Sequence, residues 1–299
     1  MINGIIIINK EKEYTSNDVV RIVKKITKTK VGHTGTLDPN ATGVLPLLLG
    51  EGTKVSKYLI NHNKEYEAVL QLGKKTETAD GEGIVIEEKE VLPQMLKKEF
   101  VEETLNSFIG VQNQVPPMYS AIKVNGRKLY DYARSGQTVE VKARIIEIYN
   151  IKLIKIDEKE KQIFFRVSCS KGTYIRTLCE NIAEKLGTVG YMKELNRIKV
   201  GDFKIEDSIK VKELEENILK NNLSKIITIE KLFKEKEKVE LTDSKIKKYL
   251  NGVQIPINEI DSKTSNNNNE EICRVYYKNK FIGLGVIKNE KLKRDIVIQ

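Results

Sequence analysis

The chain has 299 residues, which is long enough for one large hydrophobic core and also permits a second, smaller domain. Lys and Arg total 52 against 42 Asp and Glu, and the resulting formal charge of +10 favours a polyanionic partner. A nucleic acid suits this charge better than a membrane surface does. The abundance of Lys beside Ile and Asn is also typical of AT-rich codon usage, which explains the charge equally well by itself.

Cysteines, histidines and apolar runs narrow the class of protein further. The three cysteines follow no metal-knuckle or disulfide spacing, and the two histidines, His33 and His62, are far apart. We therefore expect no metal, reduced thiols and a cytoplasmic protein. The N-terminus lacks a basic leader with a cleavage site. Because no apolar run approaches the roughly 20 residues of a membrane span, we expect a soluble protein without a membrane partner.

The first part of the chain predicts a strand, a helix and a second strand. Residues 4–8 are an apolar, β-branched run typical of a buried strand. Ser16 is a candidate N-cap for an amphipathic helix whose exposed side is basic. Residues 66–72 alternate between apolar and polar, which indicates a half-buried strand, and Asp80 with Gly81 predicts a turn.

The middle of the chain mixes further helices and strands. The predicted elements are a helix over residues 96–108, a tight hairpin at Asn125 and Gly126, strands over 139–156 and 162–168, and a helix over 175–186. Helices and strands do not alternate regularly along the chain. We therefore predict an α+β fold with a mixed, largely antiparallel sheet flanked by helices.

The chain is predicted to end in a small β-rich module. Residues 221–241 are rich in Lys and Glu, and we place a domain boundary there, between residues 1–234 and residues 235–299. Residues 262–271 include four consecutive Asn and predict a disordered loop. Residues 274–298 predict short strands joined by turns.

The most informative stretch is the glycine-rich segment 32–43, GHTGTLDPNATG. Its three glycines, small hydroxyls and Asp–Pro pair predict an irregular, tightly held loop. Pro39 restricts Asp38 to extended backbone and so presents its carboxylate from a stiff support, which suits a catalytic group. A capping Asp in an ordinary turn explains the same residues, and on local sequence alone such turns are the commoner case.

Together with the three residues that follow it, this segment resembles the catalytic motif of the TruB family, the bacterial tRNA pseudouridine-55 synthases. The resemblance continues through residues 64–66, 117–126 and 169–178, and it spans most of residues 1–234. Residues 281–285 are similar to the short C-terminal RNA-binding module of PUA-like type in that family.

The resemblance implies an enzyme that isomerises a uridine in the T-arm of tRNA, at position 55, to pseudouridine. The bond from uracil N1 to the ribose breaks and C5 joins the ribose instead, a redox-neutral change for which we expect no cofactor. The target base must be flipped out of the folded RNA. The sequence lacks the long extensions typical of guide-RNA-dependent relatives, so we expect action without a guide RNA, and we expect a monomer.

The resemblance assigns roles to individual residues. Asp38 is implied to be the catalytic carboxylate, acting as nucleophile, base or electrostatic stabiliser, with Arg176 as its partner and Tyr66 against the target base. The other expected substrate-binding residues are His33, Tyr174, Leu195 and Lys10. Glu11 stands where the family usually has Pro after this Lys. From the residues alone, the default interpretation of Arg176 is a solvent-facing helix charge, and that of Tyr66 is an ordinary core tyrosine.

Residues 112–144 are a candidate RNA-gripping insertion, because cations and tyrosines are interleaved there. The cations are Lys123, Arg127, Lys128 and Arg134, and the tyrosines are Tyr119, Tyr130 and Tyr132. Cations contact phosphates, and aromatic rings stack on splayed bases. We expect this segment to be mobile until RNA orders it, although a solvated hairpin explains the same composition.

Two other functions fit part of this sequence. A non-catalytic RNA-binding or tRNA-folding protein fits the charge and the basic hairpin, and a synthase for a uridine in another RNA would carry the same residues. The combination of Asp38, Tyr66 and Arg176 favours an enzyme over a binding protein, because a carboxylate near RNA is electrostatically unfavourable.

Overall fold

A computed structural model describes residues 2–260 and 270–298 of the chain. Within these ranges the strands are β1 (Gly4–Lys10), β2 (Val31–His33), β3 (Thr42–Leu49), β4 (Lys64–Leu72), β5 (Lys74–Thr76), β6 (Val85–Glu88), β7 (Gly110–Gln114), β8 (Lys123–Val124), β9 (Arg127–Lys128), β10 (Arg144–Asp157), β11 (Gln162–Cys169), β12 (Gly190–Val200), β13 (Phe203–Lys204), β14 (Glu237–Leu241), β15 (Ile255–Pro256), β16 (Glu271–Tyr277), β17 (Lys280–Lys288) and β18 (Lys291–Val297). The α-helices in the same ranges are α1 (Ser16–Thr27), α2 (Ser56–Leu59), α3 (Lys98–Asn106), α4 (Leu129–Arg134), α5 (Ile175–Lys185), α6 (Val211–Leu219), α7 (Ile229–Leu232) and α8 (Asp243–Leu250).

A nine-stranded sheet forms the centre of the molecule. Its strands run in the order β1-β3-β12-β4-β11-β10-β7, with β2 beside β3 and β13 beside β12. Among the described residues its strand pairs are antiparallel except β3 with β12, which is parallel. The predicted α+β fold with a mixed, largely antiparallel sheet is therefore confirmed.

The isoleucine run of β1 is buried on both faces of this sheet. Ile6 and Ile8 pack into the large core that also contains apolar residues of α1, α3 and α5. Ile5 and Ile7 face a second core, which includes Leu284 of β17. A strand that is covered on both sides has no polar face, which explains why its sequence is continuously apolar rather than alternating.

The C-terminal β-rich module is a five-stranded sheet in the order β14-β16-β17-β18-β15. The strands predicted within residues 274–298 are present as β16, β17 and β18. Most of the loop predicted over residues 262–271 lies outside the described residues, and Glu271 already begins β16. Among the described residues, no helix combines the length and apolarity that a membrane crossing requires.

The charged segment 221–241 is packed against both sheets. Ile227 pairs with Ile5 of β1, and Ile229 and Phe233 are buried in the second core. The segment ends in β14, the first strand of the C-terminal sheet. Its charged residues lie on the exposed side of a short amphipathic stretch, so composition alone suggested a looser connection than the one present.

Several predicted boundaries shift by a few residues. The N-cap of α1 is Thr15, not Ser16, and Thr15 forms a capping box with Asp18. The strand expected from residue 139 begins only at Arg144, and the expected helix over 96–108 is a 3₁₀ turn followed by α3. The hairpin at Asn125 is confirmed as β8 and β9.

Candidate active site

A cleft of about 980 Å³ lies beside the middle of the nine-stranded sheet. It is bounded by the loop of residues 34–41, by β4 and β12, by the turn after β5, by the start of α5 and by part of the 112–144 insertion. Its lining includes Asp38, Tyr66, Asp80, Tyr174, Arg176 and Leu195. Five of the expected catalytic and substrate-binding residues are therefore brought together, although they lie far apart in the sequence.

The loop of residues 34–41 is fixed by side chains from β1 and α1. The Lys10 ammonium donates hydrogen bonds to the carbonyl oxygens of Glu11, Tyr14 and Pro39, at 2.9, 2.6 and 2.8 Å. The Ser16 hydroxyl accepts from Leu37 N–H at 2.8 Å and donates to the Leu37 carbonyl at 3.1 Å. Ser16 is therefore occupied with this loop, which explains why Thr15 caps the helix.

Arg197 of β12 supports the same loop from within the core. Its side chain is buried and donates to the carbonyl oxygens of Gly35, Thr36 and Val44, at 3.0, 3.3 and 2.7 Å. A guanidinium has five N–H donors in one plane, so it can bind several carbonyls of a loop at once. The sequence did not indicate this supporting role.

Gly43 is required where the loop enters β3. Its φ of +103° disfavours any residue with a side chain, and a Cβ atom there would lie 2.2 Å from the Arg197 carbonyl oxygen. This close approach brings β3 into parallel pairing with β12. The glycine thus sets the distance between the Asp38 loop and the strand that carries Leu195 and Arg197.

Asp38 and Arg176 form an ion pair inside the cleft. Arg176 Nε lies 3.1 Å from Asp38 Oδ2, and Arg176 Nη2 lies 3.4 Å from Asp38 Oδ1. The arginine side chain is only 6% exposed, whereas that of the aspartate is 37% exposed. The cation is thus fixed within the protein while the carboxylate faces the cleft, the arrangement expected for a group that must meet a substrate.

Arg176 contacts two further segments that line the cleft. Its guanidinium donates to the carbonyl oxygens of Thr78 at 3.1 Å and Tyr119 at 2.9 Å, and it lies 3.5 Å from the carboxylate of Asp80. One side chain therefore connects Asp38, the turn after β5 and the insertion. The alternative interpretation of Arg176 as a solvent-facing helix charge is wrong.

The electrostatic environment of Asp38 has two opposing components. Burial raises the pKa of the Asp38 carboxyl above its usual value, Arg176 opposes that shift, and Asp80 adds to it. Because the net shift is upward, removing the cation would favour the protonated carboxyl further. Arg176 is therefore the group that most favours the ionised form of Asp38.

Tyr66 and Leu195 lie on neighbouring strands in the lining of the cleft. Tyr66 on β4 pairs in register with Arg197 on β12, and Leu195 lies two residues before Arg197. Burial raises the pKa of the Tyr66 phenol to about 12, so the ring is neutral. Tyr66 is both a core residue and a cleft residue, which reconciles the two interpretations of its sequence position.

Tyr174 is positioned by a side chain of the insertion. The Gln114 side chain accepts from the Tyr174 N–H at 2.8 Å and donates to the Tyr174 carbonyl at 3.0 Å. This pair of hydrogen bonds joins the end of β7, where the insertion starts, to the residue before α5. Tyr174 itself is half-buried and lines the cleft.

Two expected substrate-binding residues are not among the described residues that line the cleft. Lys10 is fully buried beneath the Asp38 loop, where its ammonium is occupied by three carbonyls. His33 ends β2 beside the cleft residue Thr34, and burial together with Arg197 lowers the pKa of its imidazole. Glu11, in place of the family's proline, supplies one of the Lys10 carbonyls and pairs with Lys210 at 3.0 Å.

The four cations of the insertion lie outside the core, on and beside the β8–β9 hairpin. Arg127 stacks 4.6 Å from the ring centroid of Tyr132, and Arg134 lies 5.4 Å from that of Tyr130. Lys128 donates to the Tyr130 hydroxyl at 2.8 Å, while Lys123 is exposed. Arg134 lines the cleft, so the basic surface is continuous with its mouth.

Asp80 and Lys64 are cleft residues to which the sequence did not assign a role. Asp80 follows β5 and was predicted only as part of a turn, since nothing in its local sequence shows that it meets Arg176. Lys64 at the start of β4 lines the cleft, and burial with the neighbouring Arg197 lowers the pKa of its ammonium to about 8. The described residues contain no cluster of three His, Cys, Asp or Glu suited to a metal.

Two solved structures contain chains whose fold is similar to that of this chain. The chain is similar to a chain in a crystal structure of a Cbf5–Nop10–Gar1 complex, with a TM-score of 0.70 and 26% identity, over 99% of this chain and 83% of that chain. It is also similar to a chain in an H/ACA RNP bound to a substrate RNA containing 2′-deoxyuridine, with a TM-score of 0.68 and 25% identity, over 98% of this chain and 83% of that chain.

Sequence comparison places the chain in a family. Residues 23–175 match the model for the TruB family pseudouridylate synthase N-terminal domain, and residues 176–253 match that for the tRNA pseudouridylate synthase B C-terminal domain. The tRNA pseudouridine synthase B of Clostridium tetani is 46% identical over 97% of this chain and 98% of the relative. That of Staphylococcus aureus is 43% identical over 88% of each. The chain belongs to the TruB family of pseudouridine synthases.

Proposed function

We propose that this protein isomerises a uridine of tRNA to pseudouridine, with Asp38 as the catalytic carboxylate. The observation that carries the proposal is the Asp38–Arg176 pair at 3.1 Å in an open cleft of a TruB family chain. A protein that only binds RNA gains nothing from a carboxylate presented at its binding surface, because RNA repels it. The pair therefore supports an enzyme over an RNA-binding scaffold.

The proposed reaction exchanges one bond of the nucleotide for another. The bond between N1 and the ribose C1′ breaks, the base turns, C5 joins C1′, and the proton on C5 leaves as N1 takes one up. Asp38 stabilises the developing positive charge on the ribose or attacks it, and Arg176 keeps the carboxylate ionised and oriented. Tyr66 supports the face of the base, while Tyr174 and Leu195 restrict its position.

The proposed substrate is the T-arm of tRNA, with position 55 as the target uridine. This base is flipped out of the folded arm into the cleft, and the 112–144 insertion grips the phosphates around it through Lys123, Arg127, Lys128 and Arg134. In this proposal His33 contacts the space that the flipped base leaves in the RNA. Lys10 supports the Asp38 loop. The enzyme acts in the cytoplasm as a monomer without a guide RNA.

The proposed division of labour follows the two sheets. Residues 1–234 form the catalytic domain, and residues 235–299 form a PUA-like module that binds a more distant part of the same tRNA. The exposed cations Lys247, Lys248 and Lys293 in that module suit phosphate contacts.

The direct test of this function is a map of pseudouridines in tRNA from cells with and without the gene for this protein. We expect position 55 to be uridine in the deletion strain and to be restored to pseudouridine by the purified protein acting on that tRNA. Full modification of position 55 in the deletion strain, or restoration only at another position, would contradict the proposal.

A further inference from the structure

Ser120 occupies a fixed place in the wall of the cleft, beside the cation that holds Asp38. Its N–H donates to the Met118 carbonyl at 2.9 Å, and its own carbonyl accepts from the Tyr130 N–H at 3.1 Å. The adjacent Tyr119 carbonyl accepts from Arg176 at 2.9 Å. The backbone on both sides of Ser120 is therefore held relative to the Asp38–Arg176 pair.

Unlike its backbone groups, the hydroxyl of Ser120 forms no hydrogen bond among the described residues. Ser120 is 5% exposed and lines the cleft, yet its Oγ has no hydrogen-bond partner among the described residues. Of the other hydroxyls in the cleft wall, Thr173 donates to the Ser170 carbonyl at 3.0 Å and Thr78 to Asp80 at 2.6 Å, whereas the buried hydroxyl of Thr34 also has no partner among the described residues. A buried hydroxyl without a partner is unfavourable in the free protein, so its presence points to a ligand atom that completes it.

We infer that the Ser120 hydroxyl hydrogen-bonds the target nucleotide once it enters the cleft. The inference rests on the proposed function, from which it takes the identity of the ligand. A uridine offers O2, O4, N3–H and the ribose 2′-hydroxyl, and a serine hydroxyl can both donate and accept. Ser120 thereby gives the insertion a direct contact with the reacting nucleotide, in addition to the phosphate contacts of its cations.

The test is a set of kinetic measurements on Ser120→Ala with tRNA transcripts altered at the target position. On unmodified tRNA we expect kcat/KM to fall about three- to tenfold, the value of one hydrogen bond. The altered targets are 2′-deoxyuridine, 2-thiouridine, 4-thiouridine and 3-methyluridine, which between them change all four of these groups and leave N1 and C5 unchanged. On the one that lacks the partner atom, wild type and Ser120→Ala should differ by less than about twofold.

Thr29→Val is the matched control. Thr29 is also buried with an unpartnered Oγ, but it is not among the described residues that line the cleft. We expect its kcat/KM to equal that of the wild type on every transcript. The melting temperatures of both variants measure any loss of packing independently of the kinetic constants.

Two results would overturn the inference. One is a Ser120→Ala enzyme with wild-type kcat/KM on unmodified tRNA. The other is a loss of the same size on all the altered transcripts, which would assign Ser120 to packing. Either result leaves the proposed function intact, since the wild-type enzyme would still convert uridine. A wild-type protein that converts no uridine in tRNA would instead contradict the proposed function, and the inference would fall with it.

Discussion

Two buried arginines contact the cleft, and they do different things. Arg176 contacts the carboxylate of Asp38 directly, whereas Arg197 binds the backbone of the loop that carries it. The first therefore affects the protonation of Asp38, and the second affects where Asp38 lies. Substitutions at the two positions should be separable by experiment, the first in the pH dependence and the second in stability.

Removal of the Arg176 cation should move the acidic limb of the pH–rate profile upward. Burial already raises the pKa of Asp38 and Arg176 opposes this, so Arg176→Met raises the pKa further and leaves less ionised carboxylate at a given pH. Single-turnover rates from about pH 5 to 9 should show this shift together with a loss of roughly a hundredfold at the optimum. Arg176→Lys, which keeps the charge, should shift the limb less. An acidic limb that does not move in Arg176→Met would show that the cation does not control Asp38.

Loss of Arg197 should destabilise the fold. Arg197→Met leaves the carbonyls of Gly35, Thr36 and Val44 without their donor in the core, which costs about 3 kcal/mol in the free energy of unfolding. Arg166→Met is the matched control, because Arg166 has a half-exposed side chain that pairs with Glu67, and its loss should cost less than about 1 kcal/mol. Urea denaturation measures both. Equal destabilisation by the two substitutions would contradict the supporting role of Arg197.

The sequence could predict some of these residues and not others. The Asp38–Arg176 contact was implied by the family resemblance and is present. The Asp80–Arg176 contact at 3.5 Å was not predicted, because it joins a turn and a helix about a hundred positions apart and neither carries a local signal. The buried positions of Lys10 and Arg197 were missed for a similar reason: composition favours exposure of cations, and only the fold shows which backbone carbonyls require them.

At the scale of elements, strands with a strong pattern were easier to predict than boundaries. The apolar run of β1, the alternation of β4 and the Asn125–Gly126 hairpin were all confirmed. The start of α1 was misplaced by one residue, because Thr15 and Ser16 are both good N-cap residues and only the contact with Leu37 decides between them. Tertiary contacts of this kind cannot be inferred from one stretch of sequence.

The β8–β9 hairpin should contribute phosphate contacts to RNA binding. Changing Lys123, Arg127 and Lys128 together to Gln should weaken tRNA binding, and the removal of each cation from its phosphate should lower the slope of log affinity against log salt by about 0.7 to 0.9. Filter binding over a range of salt concentrations measures this slope. A matched triple substitution of the exposed Lys212, Lys220 and Lys225, which are not among the described cleft residues, should leave the slope unchanged. Equal slopes for wild type and the hairpin variant would exclude the hairpin from RNA contact.

At the scale of the whole molecule, the C-terminal sheet is packed onto the central sheet. Leu284 and Ile296 are buried in the same core as Ile7 and Val44, and Asp295 pairs with Lys57. Tyr58 also donates a hydrogen bond to Asp295. The distance between the cleft and the C-terminal cations is therefore set by this core.

Deletion of residues 237–299 should therefore lower stability as well as RNA affinity, since it exposes the apolar face formed by Ile7 and Val44. A lowered melting temperature of the purified truncation, measured by calorimetry, checks the first effect. The effect on RNA affinity is measured separately by changing the exposed Lys247, Lys248 and Lys293 to Gln. This triple variant should have a higher KM but an unchanged single-turnover rate at saturating tRNA. A truncation as stable as the full chain, or a triple variant with an unchanged KM, would contradict this account.

The central claim is that Asp38 performs the chemistry while other residues hold the RNA. Its most direct measurement is a single-turnover assay of Asp38→Asn on tRNA carrying tritium at uridine C5, with tRNA affinity measured in parallel. We predict that tritium release falls more than about 1,000-fold while the dissociation constant changes less than about threefold, because phosphate contacts dominate affinity. Tritium release within about tenfold of the wild-type rate would contradict the assignment of Asp38 as the catalytic carboxylate.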